Sequence, residues 1–167
     1  MSLTLLSPAF EHRQSIPREF TPEGHDRSPP LSWLGQPENC RAYALICDDP
    51  DAPGGTYTHW LIYDIPGELG EVPAGLPKQR QLEGPLEAKQ GVNDANDIGW
   101  AGPHPPLGDG VHRYRFTLYA LDRPVGLRPG ANRAELEGAI RQHVLEQCTL
   151  IGLYEREAGT RFQPGPA

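Results

Sequence analysis

The sequence predicts a mostly β fold: an antiparallel β-sandwich with one amphipathic helix near the C-terminus and long Gly/Pro-rich loops. Three observations carry that expectation. From Val111 to Leu121 the chain alternates strictly. His112, Tyr114, Phe116, Leu118 and Ala120 fall on one side, and Val111, Arg113, Arg115, Thr117 and Tyr119 on the other. A period of two marks a strand with one buried face. Glycine and proline number 19 each in 167 residues, yet periodic apolar segments survive between them, which separates a loop-rich fold from a disordered chain. The helical period appears late, after several strand-like stretches, and that order favours a sandwich with helical decoration over an alternating βαβ sheet.

Taken in order, residues 2–6 make a short first strand. Residues 17–30 are polar and turn-rich and run into Ser28-Pro29-Pro30-Leu31-Ser32-Trp33, where Trp33 is expected to cap a core. Residues 41–48, RAYALICD, form a nearly continuous apolar strand, the pattern of a central position. The rigid acidic loop Asp49-Pro50-Asp51-Ala52-Pro53-Gly54-Gly55 follows. Residues 58–65 give the next strand, with His59, Leu61, Tyr63 and Ile65 assigned to one face. Residues 66–98 carry scattered apolar positions and are expected to form a surface excursion with turns. From Gly99 to Gly110, three prolines remove backbone donors and four glycines open unusual conformations, so this piece is a stiff loop. It delivers His112 and Tyr114 onto the end of a core strand. Asn132 with Glu135 makes a capping box. Leu136, Ile140, Val144 and Cys148 recur every four residues, which predicts a helix of about four turns. Thr149 to Arg156 is expected to add a last, short edge strand. Residues 1–157 are thus one expected domain and 158–167 a flexible tail.

Charge narrows the function. The formal net charge is −7, there are two lysines in all, and no basic cluster exists, so neither nucleic acid nor an anionic membrane surface is an expected partner. An anion would have to be held locally. The N-terminus lacks a basic, apolar signal pattern, and no run is long enough to insert into a membrane. Three unpaired cysteines then suggest a reducing, cytoplasmic setting. Cys47 lies within an apolar strand and reads as core. A homodimer is compatible with the sequence.

Three strand ends carry the candidate chemistry. Asp49 shares a side with Tyr43, Leu45 and Cys47, with Asp51 following in the loop. His59 opens one strand, and His112 and Tyr114 open another. Convergence of these ends would create a pocket for an oxyanion, because imidazole N–H and phenol O–H donate hydrogen bonds worth about 1.5–3 kcal/mol each to a charged acceptor. Asp49 would accept from the far side of a histidine, fixing the ring and favouring its charged form. Asp51 would either hold the loop or meet an ammonium group. Two histidines and a carboxylate also suit a divalent transition metal, but an EF-hand loop begun at Asp49 fails at its twelfth position, Trp60. A hydrolase using His112 or His59 with Asp49 as base lacks an advertised nucleophile. A third class is a module that modulates a kinase or protease. No metal or cofactor is expected.

The segments Ser28–Trp33, Asp49–Pro53 (DPDAP), His59-Trp60, Gly102-Pro103-His104-Pro105-Pro106 and Gly110-Val111-His112-Arg113-Tyr114 stand in the order seen in the phosphatidylethanolamine-binding protein family. The chain resembles most the compact bacterial branch of that family, often called Raf kinase inhibitor-like, over about residues 10–155. The resemblance implies a Greek-key type β-sandwich with a preformed pocket for phosphate or phospholipid-type head groups and no turnover. Carried over, the pocket residues are Asp49, Asp51, Pro53, His59, His112 and Tyr114, with Gly102 and the rest of the 102–106 loop as wall. His104 is either a third imidazole at the mouth or an exposed loop residue. The resemblance also implies a cis peptide between Ala52 and Pro53. Asp26 stands where the family usually has asparagine. The C-terminal extension of longer eukaryotic relatives is not evident.

Overall fold

Two sheets enclose the main apolar layer in the computed structural model, which describes residues 2–156. The smaller sheet joins β1 (Thr4–Leu6), β3 (Leu31–Leu34) and β6 (Glu71–Val72) in the order β1-β3-β6. The larger has six strands in the order β2-β9-β8-β4-β5-β7. These are β2 (Gln14–Ser15), β4 (Ala42–Asp49), β5 (Tyr57–Pro66), β7 (Lys89–Gln90), β8 (His112–Leu121) and β9 (Val144–Tyr154). All pairings are antiparallel except the short parallel contact of β2 with β9. The predicted tail, residues 158–167, lies outside the described residues.

The alternation of β8 is realised. Tyr114, Phe116, Leu118 and Ala120 face the smaller sheet and pack with Tyr43, Leu45 and Cys47 of β4 and with Leu5, Leu31 and Trp33 across the layer. Trp33 caps this core, with its indole N–H donating to Leu69 O at 3.2 Å. The other face of the large sheet carries a second apolar cluster of Ala44, Ile46, Leu61 and Tyr63, covered by Leu136 and Ile140 of α1 (Arg133–Ile140). Apolar residues on both faces explain why β4 reads as a continuous hydrophobic run.

The structure corrects five sequence expectations. The helix has two turns, not four: it begins at its Asn132–Glu135 capping box but ends at Ile140, and Val144 and Cys148 belong to β9. A spacing of four satisfies a strand as well as a helix, since it is also two strand periods. β8 decides between them by pairing with β9 from His112↔Tyr154 to Leu121↔Val144. The last strand is therefore long and interior, not a short edge. Residues 66–98 are not merely a surface excursion. They supply edge strands β6 and β7 and bury Leu82, Leu86, Ala88 and Gln90, whose side-chain amide accepts from Trp60 Nε1 at 2.8 Å.

The remaining two corrections bear on the site. His59 does not share a face with Leu61 and Tyr63. The register of β4 against β5 jumps from Cys47↔Trp60 to Asp48↔Thr58, so His59 is the extra residue of a β-bulge. A bulge re-aims one side chain, and here it turns the imidazole to the Tyr114 face. The peptide bond before Pro53 is trans; the cis bond among the described residues precedes Pro85. Gly55 N–H donates to Ala52 O at 3.1 Å, which makes Pro53 the second residue of a tight turn, a position that trans proline fits.

Candidate functional site

The C-terminal end of β4, the start of β5 and the start of β8 meet at one end of the large sheet. Asp49, His59, His112 and Tyr114 there line a single cavity of about 420 Å³. Ala52 and Pro53 of the acidic loop, together with Gly102, His104, Pro105 and Pro106, complete one rim. Most of the residues singled out in the sequence are thus brought together.

Asp51 is the exception. It turns away and binds Arg113, with guanidinium Nε and Nη2 donating to its two carboxylate oxygens at 2.9 and 2.8 Å and the Arg113 N–H adding a third bond at 2.9 Å. The Arg113 hydrogen bonds hold the Asp51 carboxyl at about 2, well below the usual carboxylate range. Asp51 therefore pins the loop to β8. His104 is exposed yet lines the mouth.

The polar groups sit in a defined network. His112 Nδ1 lies 2.6 Å from Asp49 Oδ2, and Nε2 lies 2.6 Å from Asp109 Oδ2. Asp49 Oδ1 accepts from the Asp51 N–H at 2.7 Å. A ring with a carboxylate on each nitrogen donates from both and carries positive charge. Burial alone pulls the His112 pKa down, but the bonds to Asp49 and Asp109 outweigh it and leave the value raised.

His59 behaves oppositely. Its Nδ1 lies 2.5 Å from Ala101 O, and the Ala101 N–H donates back to His59 O at 3.0 Å. With Nδ1–H donating, the neutral ring presents an unprotonated Nε2, an acceptor. Burial lowers the His59 pKa and favours that neutral form. Sequence reasoning assigned both imidazoles as donors; the structure gives one charged ring with both nitrogens engaged and one neutral ring with a lone pair.

Tyr114 stands between them, its ring 5.2 Å from His59 edge-on and 6.5 Å from His112 stacked. Its hydroxyl is buried and, among the described residues, makes no well-formed hydrogen bond, although the Asp49 carboxylate lies beside it. Burial first, then the negative field of Asp49, raises its pKa and keeps it protonated. This is a buried O–H donor whose nearby protein acceptor, Asp49, is already engaged by His112 and the Asp51 N–H.

The wall loop is fixed from below by Trp100, which stacks on Phe116 at 5.9 Å and donates from Nε1 to Phe20 O at 2.9 Å. Gly102 N–H donates to Asp26 Oδ1 at 2.8 Å. A Cβ on Gly102 would fall 2.3 Å from Phe20 O, so no side chain fits.

Sequence reasoning did not assign Tyr57, Asp26 and Asp97 to the site, yet all three line it. Tyr57 had a signal, two residues before His59 on an incoming strand. Asp97 had none, lying in the stretch read as surface. Among the described residues, no lysine, arginine, serine, threonine or cysteine lines the cavity, and no group of three His, Cys, Asp or Glu side chains is placed to hold a metal. Cys47 is fully buried, and burial pushes its thiol well up.

Comparison with known proteins gives a consistent picture. The phosphatidylethanolamine-binding protein family profile matches residues 6–155. A UPF0098 protein of Pyrococcus horikoshii is 47% identical over 157 residues, covering 94% of this chain and 78% of that protein. Among solved structures, a phosphatidylethanolamine-binding protein homologue from Chlamydia trachomatis superposes with a TM-score of 0.83 at 32% identity, over 93% of this chain and 98% of that one. Escherichia coli YbcL, described as a member of the mammalian family, gives 0.85 at 26% identity, over 93% and 99%. On profile, sequence and fold together, this chain belongs to the phosphatidylethanolamine-binding protein family.

Proposed function

We propose that the chain is a binding protein whose cavity takes a phosphate-type group, free or as the head group of a phospholipid, without chemical turnover. The observation that carries this reading is the orphan Tyr114 hydroxyl, a buried donor beside a charged imidazole. A buried donor left unsatisfied costs about 1–3 kcal/mol, and a ligand oxygen recovers it. His112 contributes charge, and His59 Nε2 accepts from a protonated phosphate oxygen or takes up a proton.

Asp49 is paired with His112 and Asp26 with Lys78 at 3.3 Å, so the wall carboxylates, Asp97 above all, add a preference. They disfavour a bare anion and favour a phosphate that also carries an ammonium, as in phosphoethanolamine. The family description agrees with that ligand class. Among the described residues no serine, threonine, cysteine or lysine lines the cavity, which favours binding over hydrolysis through an alkoxide, thiolate or amine, and the free thiols Cys40, Cys47 and Cys148 support a cytoplasmic setting. Among the described residues no helix is long and apolar enough to cross a membrane.

The test is titration of the protein with inorganic phosphate, phosphoethanolamine and phosphatidylethanolamine vesicles, followed by the ring resonances of His59, His112 and Tyr114. Saturable shifts at these rings, larger in affinity for phosphoethanolamine than for phosphate, are expected. Shifts confined to other residues, or none with any of the three probes, overturn the reading. A response to vesicles alone would assign the ligand to the lipid rather than to the free head group.

A further inference from the structure

His112 can donate to a ligand only through Nε2, because Nδ1 is bound to Asp49 inside the core. That Nε2 is already taken by Asp109. The two carboxylates differ in their surroundings. The Asp49 side chain is 4% exposed, whereas that of Asp109 is 41% exposed. Asp109 also sits in the turn Gly108-Asp109-Gly110, whose two glycines have φ of 77° and 83° and no neighbour within 4 Å of a built Cβ. The turn is closed by the Asp109 N–H donating to Pro106 O at 3.1 Å and is held at its base by the Gly108 N–H on Arg156 O at 3.4 Å. It is tethered, but its tip is not packed.

We propose that Asp109 is an internal competitor for the pocket: its carboxylate occupies the donor of His112 that an oxyanion would use, and a phosphate-type ligand must displace it. This rests on the phosphate reading of the cavity and specifies how that site is regulated. A tethered carboxylate acts at high effective concentration. It therefore reduces the apparent affinity of every ligand using Nε2 by the same factor, the fraction of time the donor is free. The charged groups that face His112 are Asp49 from β4, Asp109 from the turn and the Asp51–Arg113 pair, with the Tyr114 phenol beside them. Of the two carboxylates that bond to His112, Asp109 is the exposed one. Displacing it leaves the core pair intact and frees the Nε2 donor of a ring that lines the cavity.

The experiment is phosphate titration of the whole chain and of two variants, Asp109→Ala and Asp109→Asn, with the Asp109 carboxyl carbon followed by NMR in the unsubstituted protein. Both variants lie on an exposed turn and are expected to fold. Asp109→Ala is expected to bind phosphate about three- to thirtyfold more tightly, with Asp109→Asn between it and the original. In the unsubstituted protein the Asp109 carbon should move to its free position along the same binding curve as the Tyr114 and His59 resonances. Phosphate shifting those rings while Asp109 stays still overturns the competition and leaves the pocket reading standing. Equal gains from Ala and Asn, with a static carbon, would reduce Asp109 to a charge effect and also overturn it. No ring shift in any of the three proteins overturns both readings together.

Discussion

Tyr114, His59 and His112 form a set of three groups whose protonation states differ because their neighbours differ. The orphan phenol makes a direct claim. Removing its oxygen in Tyr114→Phe deletes a buried unsatisfied group, so stability should rise by about 1 kcal/mol, roughly 2–4 °C in Tm, by calorimetry. The same change should weaken phosphate about tenfold or more, since a hydrogen bond to a charged acceptor is lost. A variant that loses both stability and affinity would mean the hydroxyl has a structural partner.

The two imidazoles should titrate on opposite sides of 6.5 in NMR, His59 below and His112 above. The signs follow from linkage. His112 stabilises the fold fully below its unfolded pKa, and that contribution is lost as pH rises through its raised folded value. His59, buried and neutral, contributes above its unfolded pKa, and its share is lost as pH falls through the lowered value. A bound anion favours imidazolium at His59, so phosphate affinity should climb as pH drops through the bound-state pKa and level off below the free one. A flat profile in calorimetric titration would leave His59 as a permanent acceptor.

At the scale of elements, the site depends on two devices that hold segments at fixed offsets. One is the Gly102 approach to Phe20 and Asp26. Gly102→Ala would drive a methyl into a backbone carbonyl, displacing the wall loop. Phosphate binding should be lost, and stability should fall by about 1–3 kcal/mol, the cost of overpacking. The other is the Asn132–Glu135 capping box. Asn132→Ala should cost about 1 kcal/mol in chemical denaturation while leaving affinity unchanged, because α1 lies on the far face of the sheet.

These elements also show what the sequence makes legible. The strand β8 was readable because its two faces meet different media, core and solvent, and its polar start marked the cavity. The capping box was readable because it is local chemistry. The end of α1 was not, since Leu136, Ile140, Val144 and Cys148 fit either period and only pairing with β8 chooses. The side to which His59 points was not legible either. A bulge is set by the register between two strands, and no residue of β5 alone records it. Asp109 looked like a loop residue because its partner, three positions on, is defined by the fold of the turn.

At the scale of the whole molecule, the field opposes the ligand. The chain carries −7, and Asp26, Asp49 and Asp97 line a cavity with no lysine or arginine on its walls among the described residues. Of the cations close to the walls, Arg113 is neutralised by Asp51 and Lys78 by Asp26, and Arg156 donates from Nε to the Pro105 carbonyl at the rim. An approaching phosphate is thus repelled until it reaches His112. Added salt screens that repulsion, with a Debye length near 10 Å at 0.1 M. The association rate constant for inorganic phosphate should therefore rise with ionic strength, by about two- to fivefold between roughly 10 and 200 mM, the reverse of an electrostatically steered anion site. Glycerophosphoethanolamine, which carries no net charge, should show a flat profile and so serves as the internal control. Stopped-flow or NMR line-shape kinetics read both, using a salt whose anion leaves the Tyr114 and His59 resonances unmoved. A phosphate rate that falls with salt would require a net positive field at the mouth, with Arg156 beside Pro105 outweighing the carboxylates and the net charge of the chain. It would also remove the physical ground for preferring an ammonium-bearing ligand.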